Sequence, residues 1–193
     1  MSQRGSRATL LAMMNVLVAY SSKHGSTAEI AEVIADKIRE SGLNVDCKRL
    51  SEVESLKDYG AVVLGSALYV NHWRGEASRF LHKHAQELSE RLLWVFSSGP
   101  VGESAHQIPS AELEPKRIIA KVEALGARQH VVFAGRVPIE PHGPLERVLV
   151  LSTPRQFRDR REWVEIRAWA AGIAAELADS DRAVTQDGPS RRS

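Results

Sequence analysis

Short apolar runs alternate along the chain with longer segments in which apolar side chains recur every three or four positions. The short runs are typical of buried strands, and the longer segments predict amphipathic helices. The predicted strands span residues 15–20, 44–50, 61–66, 92–98 and 130–135, and the predicted helices span residues 27–41, 76–88, 111–125 and 159–178. This alternation predicts an α/β fold, a doubly wound five-stranded parallel sheet with helices on both faces.

The predicted domain spans residues 14–178, and a capping-box spacing of Asp159 and Glu162 marks the start of its last helix. Residues 1–13 are basic and then briefly apolar, a weaker pattern than a signal peptide, and we expect a disordered extension with Met14 as an alternative start. Residues 179–193 are polar and without period, so we expect a disordered tail.

Composition argues against several classes of protein. The 193 residues carry a formal charge of +2 without a block of Lys and Arg, which argues against a nucleic-acid-binding protein. The single cysteine, Cys47, excludes an internal disulfide and a cysteine-rich metal site. The histidines show no HExxH or HxxEH spacing, and His82 and His84 lie on different sides of a helix, so we expect no metal site.

The segment YSSKHGST, residues 20–27, joins the first predicted strand to the first predicted helix. Its hydroxyl groups belong to Ser21, Ser22, Ser26 and Thr27. A helix N-terminus with such donors suits a phosphate dianion, and Gly25 allows a close backbone approach. Simple helix capping is the alternative, but one cap requires only one hydroxyl. Because neither GxxxxGK[ST] nor GxGxxG is present, we predict that the ligand carries a terminal monophosphate.

This segment resembles the FMN phosphate loop of flavodoxins, whose usual form is S/T-x-T-G-x-T. The resemblance implies that FMN phosphate is bound by Ser22, Lys23, His24, Gly25, Ser26 and Thr27, where His24 replaces a common threonine. It also implies that the flavin ring lies at Ala67, Leu68, Tyr69, Trp73, Ser97, Ser98, Gly99, Pro100, Val101 and Gly102. Tyr69 and Trp73 are candidate stacking faces, with packing against the protein as the alternative. The residues implied for the flavin ring lie in two ring loops, 66–73 and 97–103, and the second contains no aromatic residue, which predicts a ring edge open to substrate.

A narrower resemblance is carried by residues 65–88 and by the closing DRREWVEIRAWA, which are similar to segments of the menaquinone-dependent protoporphyrinogen dehydrogenases. It implies an FMN-dependent oxidoreductase of haem biosynthesis, with a porphyrinogen-like substrate and a quinone acceptor. His72 is then the candidate for proton transfer, and a solvated loop histidine is the alternative. An electron carrier, a quinone reductase and a deazaflavin-dependent enzyme stay open, although carriers are usually strongly acidic.

Residues 136–158 differ in composition from the long insertion that the dehydrogenases carry there, which leaves the substrate open. An apolar patch follows three prolines and consists of Leu145, Val148, Leu149 and Leu151. It suits contact with a membrane, a quinone or a second subunit, or packing on the sheet, which we favour. Since no apolar run reaches about 20 residues, we expect a cytoplasmic protein, with peripheral contact to the inner face of the membrane and a homodimer as open alternatives.

Overall fold

The computed structural model describes residues 15–69, 72–99, 116–138 and 140–186. The strands within these ranges are β1 (Asn15–Ser21), β2 (Val45–Arg49), β3 (Tyr59–Tyr69), β4 (His72–Trp73), β5 (Leu92–Ser98) and β6 (Gln129–Phe133). The helices are α1 (Ser26–Arg39), α2 (Gly75–Lys83), α3 (Ala85–Ser89), α4 (Lys116–Ala124), α5 (Pro144–Ser152) and α6 (Trp163–Gln186).

The sheet has the strand order β2-β1-β3-β5-β6, and all neighbours on this path are parallel. The predicted five-stranded parallel sheet is therefore confirmed. The short β4, which the sequence pattern did not predict, adds an antiparallel pair to the end of β3. The register places Ser21 opposite Ser66 and Ser66 opposite Ser97, so that β1, β3 and β5 end side by side.

Helices cover both faces of the sheet, as the continuous apolar strands predicted. On one face α1 and α6 pack on a buried cluster that includes Val16, Val18, Trp94 and Phe96. On the other face α2, α3 and α4 contribute to a second cluster around Leu17, Leu64, Leu81, Val95 and Val122. These two cores fix the strand ends from which the loops of the candidate site emerge.

Close packing against Phe96 requires a glycine at position 65. A Cβ atom at this position would collide with three ring atoms of Phe96, which is itself fully buried. Because the ring is held in the core, it has no room to move away, and only glycine fits here.

The helix predicted at 27–41 differs by one or two residues at each end, and residues 111–115 of the helix predicted at 111–125 lie outside the described residues. The other two predicted helices differ more. The helix predicted at 76–88 is divided at His84, whose ring packs on Phe80 at 4.5 Å between centroids and whose Nδ1 lies 2.6 Å from a Glu87 carboxylate oxygen. The last helix begins at Trp163 rather than at Asp159, because the Asp159 carboxylate accepts hydrogen bonds from the guanidinium of Arg161 instead of capping the helix.

The predicted disordered tail is wrong for residues 179–186, which continue α6. The sequence contains no Gly or Pro in this stretch, so nothing in it ends the helix, and polarity alone was a poor indicator of disorder. The remaining tail and the predicted N-terminal extension lie outside the described residues. Within the described part of the chain, no helix has the length and apolarity that crossing a bilayer requires.

Candidate cofactor site

The candidate site lies at the carboxyl ends of β1, β3 and β5, where an open parallel sheet commonly binds its ligand. The parallel register brings the loop after Ser21, the end of β3 at Ala67 and Leu68, and the end of β5 at Ser98 to the same edge. The phosphate loop therefore begins beside the described parts of the two predicted ring loops, residues 66–69 with 72–73 and residues 97–99.

The phosphate loop, which we define as residues 22–27, turns directly into α1. Gly25 occupies the N-cap position with φ of 84°, a left-handed conformation that favours glycine. Its N–H donates to Ser22 Oγ at 3.1 Å, which closes the turn. No side chain caps α1, and Ser26 and Thr27 lie inside its first turn. The simple capping alternative is therefore wrong.

Ser26 carries a buried hydroxyl oxygen without a hydrogen-bond partner among the described residues. A buried hydroxyl without a partner costs free energy, so such groups are uncommon in proteins. This oxygen lies in the first turn of α1, where backbone N–H groups are also left without helical acceptors. An anion at this helix start would satisfy both sets of donors.

Ser21 has a different environment from the other hydroxyls of this segment. It is buried, its Oγ donates to a Glu76 carboxylate oxygen at 2.6 Å, and it accepts from Nε of Arg74 at 2.9 Å. The backbone N–H of Arg74 in turn donates to Ser66 Oγ at 3.3 Å. The Ser21 hydroxyl therefore attaches the end of β1 to the start of α2 and is not available for a phosphate.

The prediction that Trp73 offers a stacking face is wrong. Its indole is buried in the second core cluster, where Nε1 donates to Ser97 Oγ at 2.8 Å. The Ser97 hydroxyl lies 2.9 Å from Nε2 of His130, and burial lowers the pKa of this histidine to about 4. The Ser97 hydroxyl and the neutral ring share a hydrogen bond, so Trp73, Ser97 and His130 form one hydrogen-bonded chain.

The structure describes some of the remaining residues predicted to contact the flavin ring, but not all of them. Ser98 is buried at the end of β5, and Gly99, with φ of 130°, donates its N–H to the Phe133 carbonyl at 2.9 Å. The backbone of Tyr69 pairs with His72 of β4, where His72 is exposed. The predicted positions Pro100, Val101 and Gly102 lie outside the described residues, so their contact with a flavin ring stays a prediction, as does proton transfer by His72.

A contact that the sequence did not predict joins the phosphate loop to α5. Glu146, in the first turn of α5, lies 2.6 Å from Lys23 Nζ and 2.9 Å from His24 Nε2 through the same carboxylate oxygen. Its other oxygen accepts the N–H of His142 at 2.7 Å. These hydrogen bonds, the one from Lys23 first, lower the pKa of Glu146 to about 2.

Although Glu146 attaches α5 to the phosphate loop, part of the α5 apolar patch is exposed to solvent. The side chains of Val148 and Leu151 are 62% and 82% exposed, so packing on the sheet, which we favoured, is wrong for these two residues. The side chains of Leu145 and Leu149 lie outside the described part of the structure.

Comparisons with known proteins identify the family of this fold. Residues 17–152 match the family model described as flavodoxin domain, which covers most of the chain. The chain belongs to the flavodoxin domain family. A 78-residue segment is 30% identical to the Escherichia coli K12 protein named protoporphyrinogen IX dehydrogenase [quinone], a match that spans 39% of this chain and 43% of that protein. The same match is found for the proteins of two further E. coli strains.

Solved structures of similar fold include a flavodoxin. Flavodoxin 2 from Bacillus cereus has a TM-score of 0.54 and 19% identity, over 86% of this chain and 99% of its own. Rubredoxin oxygen:oxidoreductase from Desulfovibrio gigas has a TM-score of 0.57 and 16% identity, over 89% of this chain but 38% of its own. Similarities at this level of identity establish the fold.

Membership in the flavodoxin domain family implies that the cofactor is FMN, and the residues at the start of α1 fit its phosphate. The buried Ser26 hydroxyl without a partner, the left-handed Gly25 and the free N-terminus of α1 together provide donors for a dianion. The side chains of Lys23 and His24, which the resemblance also assigned to the phosphate, contact Glu146, and their binding to the phosphate stays a prediction.

Sequence reasoning missed the residues that reach this flavodoxin site from a distance, namely Arg74, Glu76, His130, His142 and Glu146. His142 donates its N–H to Glu146, four positions away, but the partners of the other four residues are 33 to 123 positions away in sequence. A pattern confined to neighbouring positions has no means of pairing them.

Proposed function

We propose that this flavodoxin-domain protein is an FMN-dependent oxidoreductase that oxidises a porphyrinogen-type substrate and passes the electrons to a quinone. The observation that carries the proposal is the 30% identity to the E. coli protein named protoporphyrinogen IX dehydrogenase [quinone]. Because the match covers 43% of that protein, its activity comes to this chain as a proposal.

The described residues suit this role because they offer donors to the FMN phosphate and do not cover the flavin with the Trp73 indole. Ser26 and the start of α1 anchor the phosphate, and FMN supplies the transfer of a hydride or electrons when bound. Trp73 points into the core, so its indole does not cover the flavin. His72 is exposed on the hairpin beside the ring loop, where it is our candidate to move a proton of the substrate.

Net charge favours an enzyme over a diffusible carrier. Carriers of this fold commonly use strong negative charge to reach basic partners, whereas this chain carries a formal charge of +2. The exposed apolar Val148 and Leu151 on α5 agree with a hydrophobic electron acceptor such as a quinone. We therefore place the porphyrinogen and quinone reaction ahead of the carrier.

The test is anaerobic oxidation of protoporphyrinogen IX by the FMN-loaded protein with a soluble menaquinone analogue, followed by porphyrin fluorescence. Removal of six electrons and six protons yields protoporphyrin IX and reduces three quinones to quinols. We expect steady turnover that requires both FMN and quinone. A flavin-loaded protein that exchanges electrons only with a reductase would support the carrier instead.

The role of His72 is tested in the same assay. If His72 moves a proton, His72→Ala lowers kcat by at least about 100-fold. His82→Ala is the matched control, because His82 is also an exposed histidine but lies on α2. Equal kcat values for the two variants would contradict the proton-transfer role of His72.

A further inference from the structure

Three potential metal ligands meet where the phosphate loop contacts α5. One ligand atom each of His24, His142 and Glu146 lies within 4.8 Å of the other two. His24 Nε2 is 2.9 Å from the nearer Glu146 oxygen, and the two imidazole rings are 5.3 Å apart between centroids. Among the described residues, this is the group of histidines and carboxylates whose atoms are close enough for one ion.

We propose that His24, His142 and Glu146 form a binding site for a divalent transition-metal cation such as Zn²⁺. Two imidazoles and one carboxylate are a common Zn²⁺ donor set, with a water or another ligand in the fourth position. The site is separate from any chemistry of the flavin ring and goes beyond the proposed function.

The distances agree with a small adjustment on binding. Zn²⁺ binds nitrogen and oxygen at about 2.0–2.2 Å, so tetrahedral ligand atoms lie roughly 3.3–3.6 Å from one another. A spacing of 4.8 Å therefore shortens by roughly 1.2–1.5 Å through side-chain rotation, and the 2.9 Å between His24 and Glu146 lengthens slightly. His142 is exposed and precedes α5, so its ring is able to turn toward the ion.

The Glu146 carboxylate is already oriented for a cation. The N–H of His142 holds one oxygen at 2.7 Å, and the other oxygen faces Lys23 and His24. Hydrogen bonds of this kind fix ligating carboxylates in metal sites. His24 and Glu146 are both largely shielded from solvent, with side chains 8% and 15% exposed, which limits competition by water.

Lys23 is the group that the ion displaces. Its ammonium lies 2.6 Å from the same Glu146 oxygen that faces His24, and its side chain is 45% exposed. Because nearly half of the Lys23 side chain is already exposed, its ammonium can move fully into solvent at small cost. The metal then replaces one positive charge at Glu146 with two.

The experiment is calorimetric titration of the tag-free full chain with Zn²⁺, both as purified with flavin and after flavin removal. We expect saturation at one Zn²⁺ per chain in both forms, since no ligand comes from the flavin. Loss of a ligand in His142→Ala or Glu146→Gln weakens binding by at least about tenfold. Lys23→Met strengthens binding, because the competing ammonium is gone.

His82→Ala is the matched control, an exposed histidine on α2 that is expected to leave Zn²⁺ affinity unchanged. Thermal unfolding of each variant without metal shows whether it is folded, and Glu146→Gln keeps the side-chain shape if His142→Ala is unstable. The proposal is overturned if Zn²⁺ affinity is the same in wild type, His142→Ala and Glu146→Gln, or if Lys23→Met weakens binding. Binding in the FMN-free chain distinguishes failure of this site from failure of the flavin assignment.

Discussion

The Ser26 hydroxyl provides the sharpest test of the phosphate site, because its substitution has opposite effects on the flavin-free and flavin-loaded protein. The oxygen is buried and lacks a partner among the described residues. An unsatisfied buried hydroxyl costs about 1–3 kcal/mol, so Ser26→Ala should raise the free energy of unfolding of the FMN-free protein by about that amount or slightly less.

The same substitution should weaken FMN binding. A hydrogen bond to a charged group contributes about 1.5–3 kcal/mol, which corresponds to a roughly 10- to 150-fold increase in Kd. FMN affinity is measured by quenching of flavin fluorescence, and stability by urea unfolding of the FMN-free chain. A double variant that also changes Thr27 to Ala should bind FMN more weakly still.

Ser22→Ala is the matched control within the same loop. Its Oγ accepts the Gly25 N–H at 3.1 Å, so its loss leaves a backbone donor unpaired and should lower stability by about 1 kcal/mol. The reasoning is refuted if Ser26→Ala destabilises the FMN-free chain as Ser22→Ala does while FMN affinity stays unchanged. The phosphate would then lie elsewhere.

Three further predictions concern the core and its pH dependence. Gly65→Ala forces a methyl group into the Phe96 ring and should lower the free energy of unfolding in urea by about 1–3 kcal/mol. Gly172→Ala, with open space around it in α6, is the control and should be neutral or stabilising. Equal effects of the two substitutions would contradict the packing argument. Burial lowers the pKa of His130 to about 4, so its contribution to stability is present above the unfolded-state value near 6.5 and is lost as the pH falls toward 4. His130→Gln should therefore lose less stability than wild type between pH 7 and pH 5, and parallel losses would argue against a buried neutral ring. Trp73→Phe should cost about 1 kcal/mol of stability through the lost indole hydrogen bond and leave the absorbance of bound flavin unchanged; a shifted flavin spectrum would restore the stacking hypothesis.

The phosphate loop shows which features can be predicted from neighbouring residues and which cannot. Its position between a buried strand and a helix was predicted, because apolar runs and helical spacing are properties of neighbouring residues. The individual hydroxyls were not distinguished. Ser21 and Ser26 look alike in sequence, but the Ser21 hydroxyl donates to Glu76 across 55 positions, whereas the Ser26 hydroxyl has no hydrogen-bond partner among the described residues.

Aromatic and charged side chains were harder to place for the same reason. Trp73 follows the ring loop in sequence, yet its indole pairs with Ser97, because the strand order places β3 next to β5. His24 and Glu146 are 122 positions apart, and no HExxH-type pattern joins them, so the sequence predicted no metal site. The position of α5 creates that cluster.

The sequence by itself determined the order of the five parallel strands and of the helices that connect them, and the place of the phosphate loop, but it predicted neither β4 nor α5. Burial patterns repeat over a few residues, and that is the range over which local sequence acts. Only the tertiary structure decided which hydroxyl stays free for a ligand, which aromatic ring joins the core, and which distant carboxylate meets Lys23 and His24. Those outcomes depend on the neighbours that the sheet order brings into contact, and such neighbours are far apart along the chain.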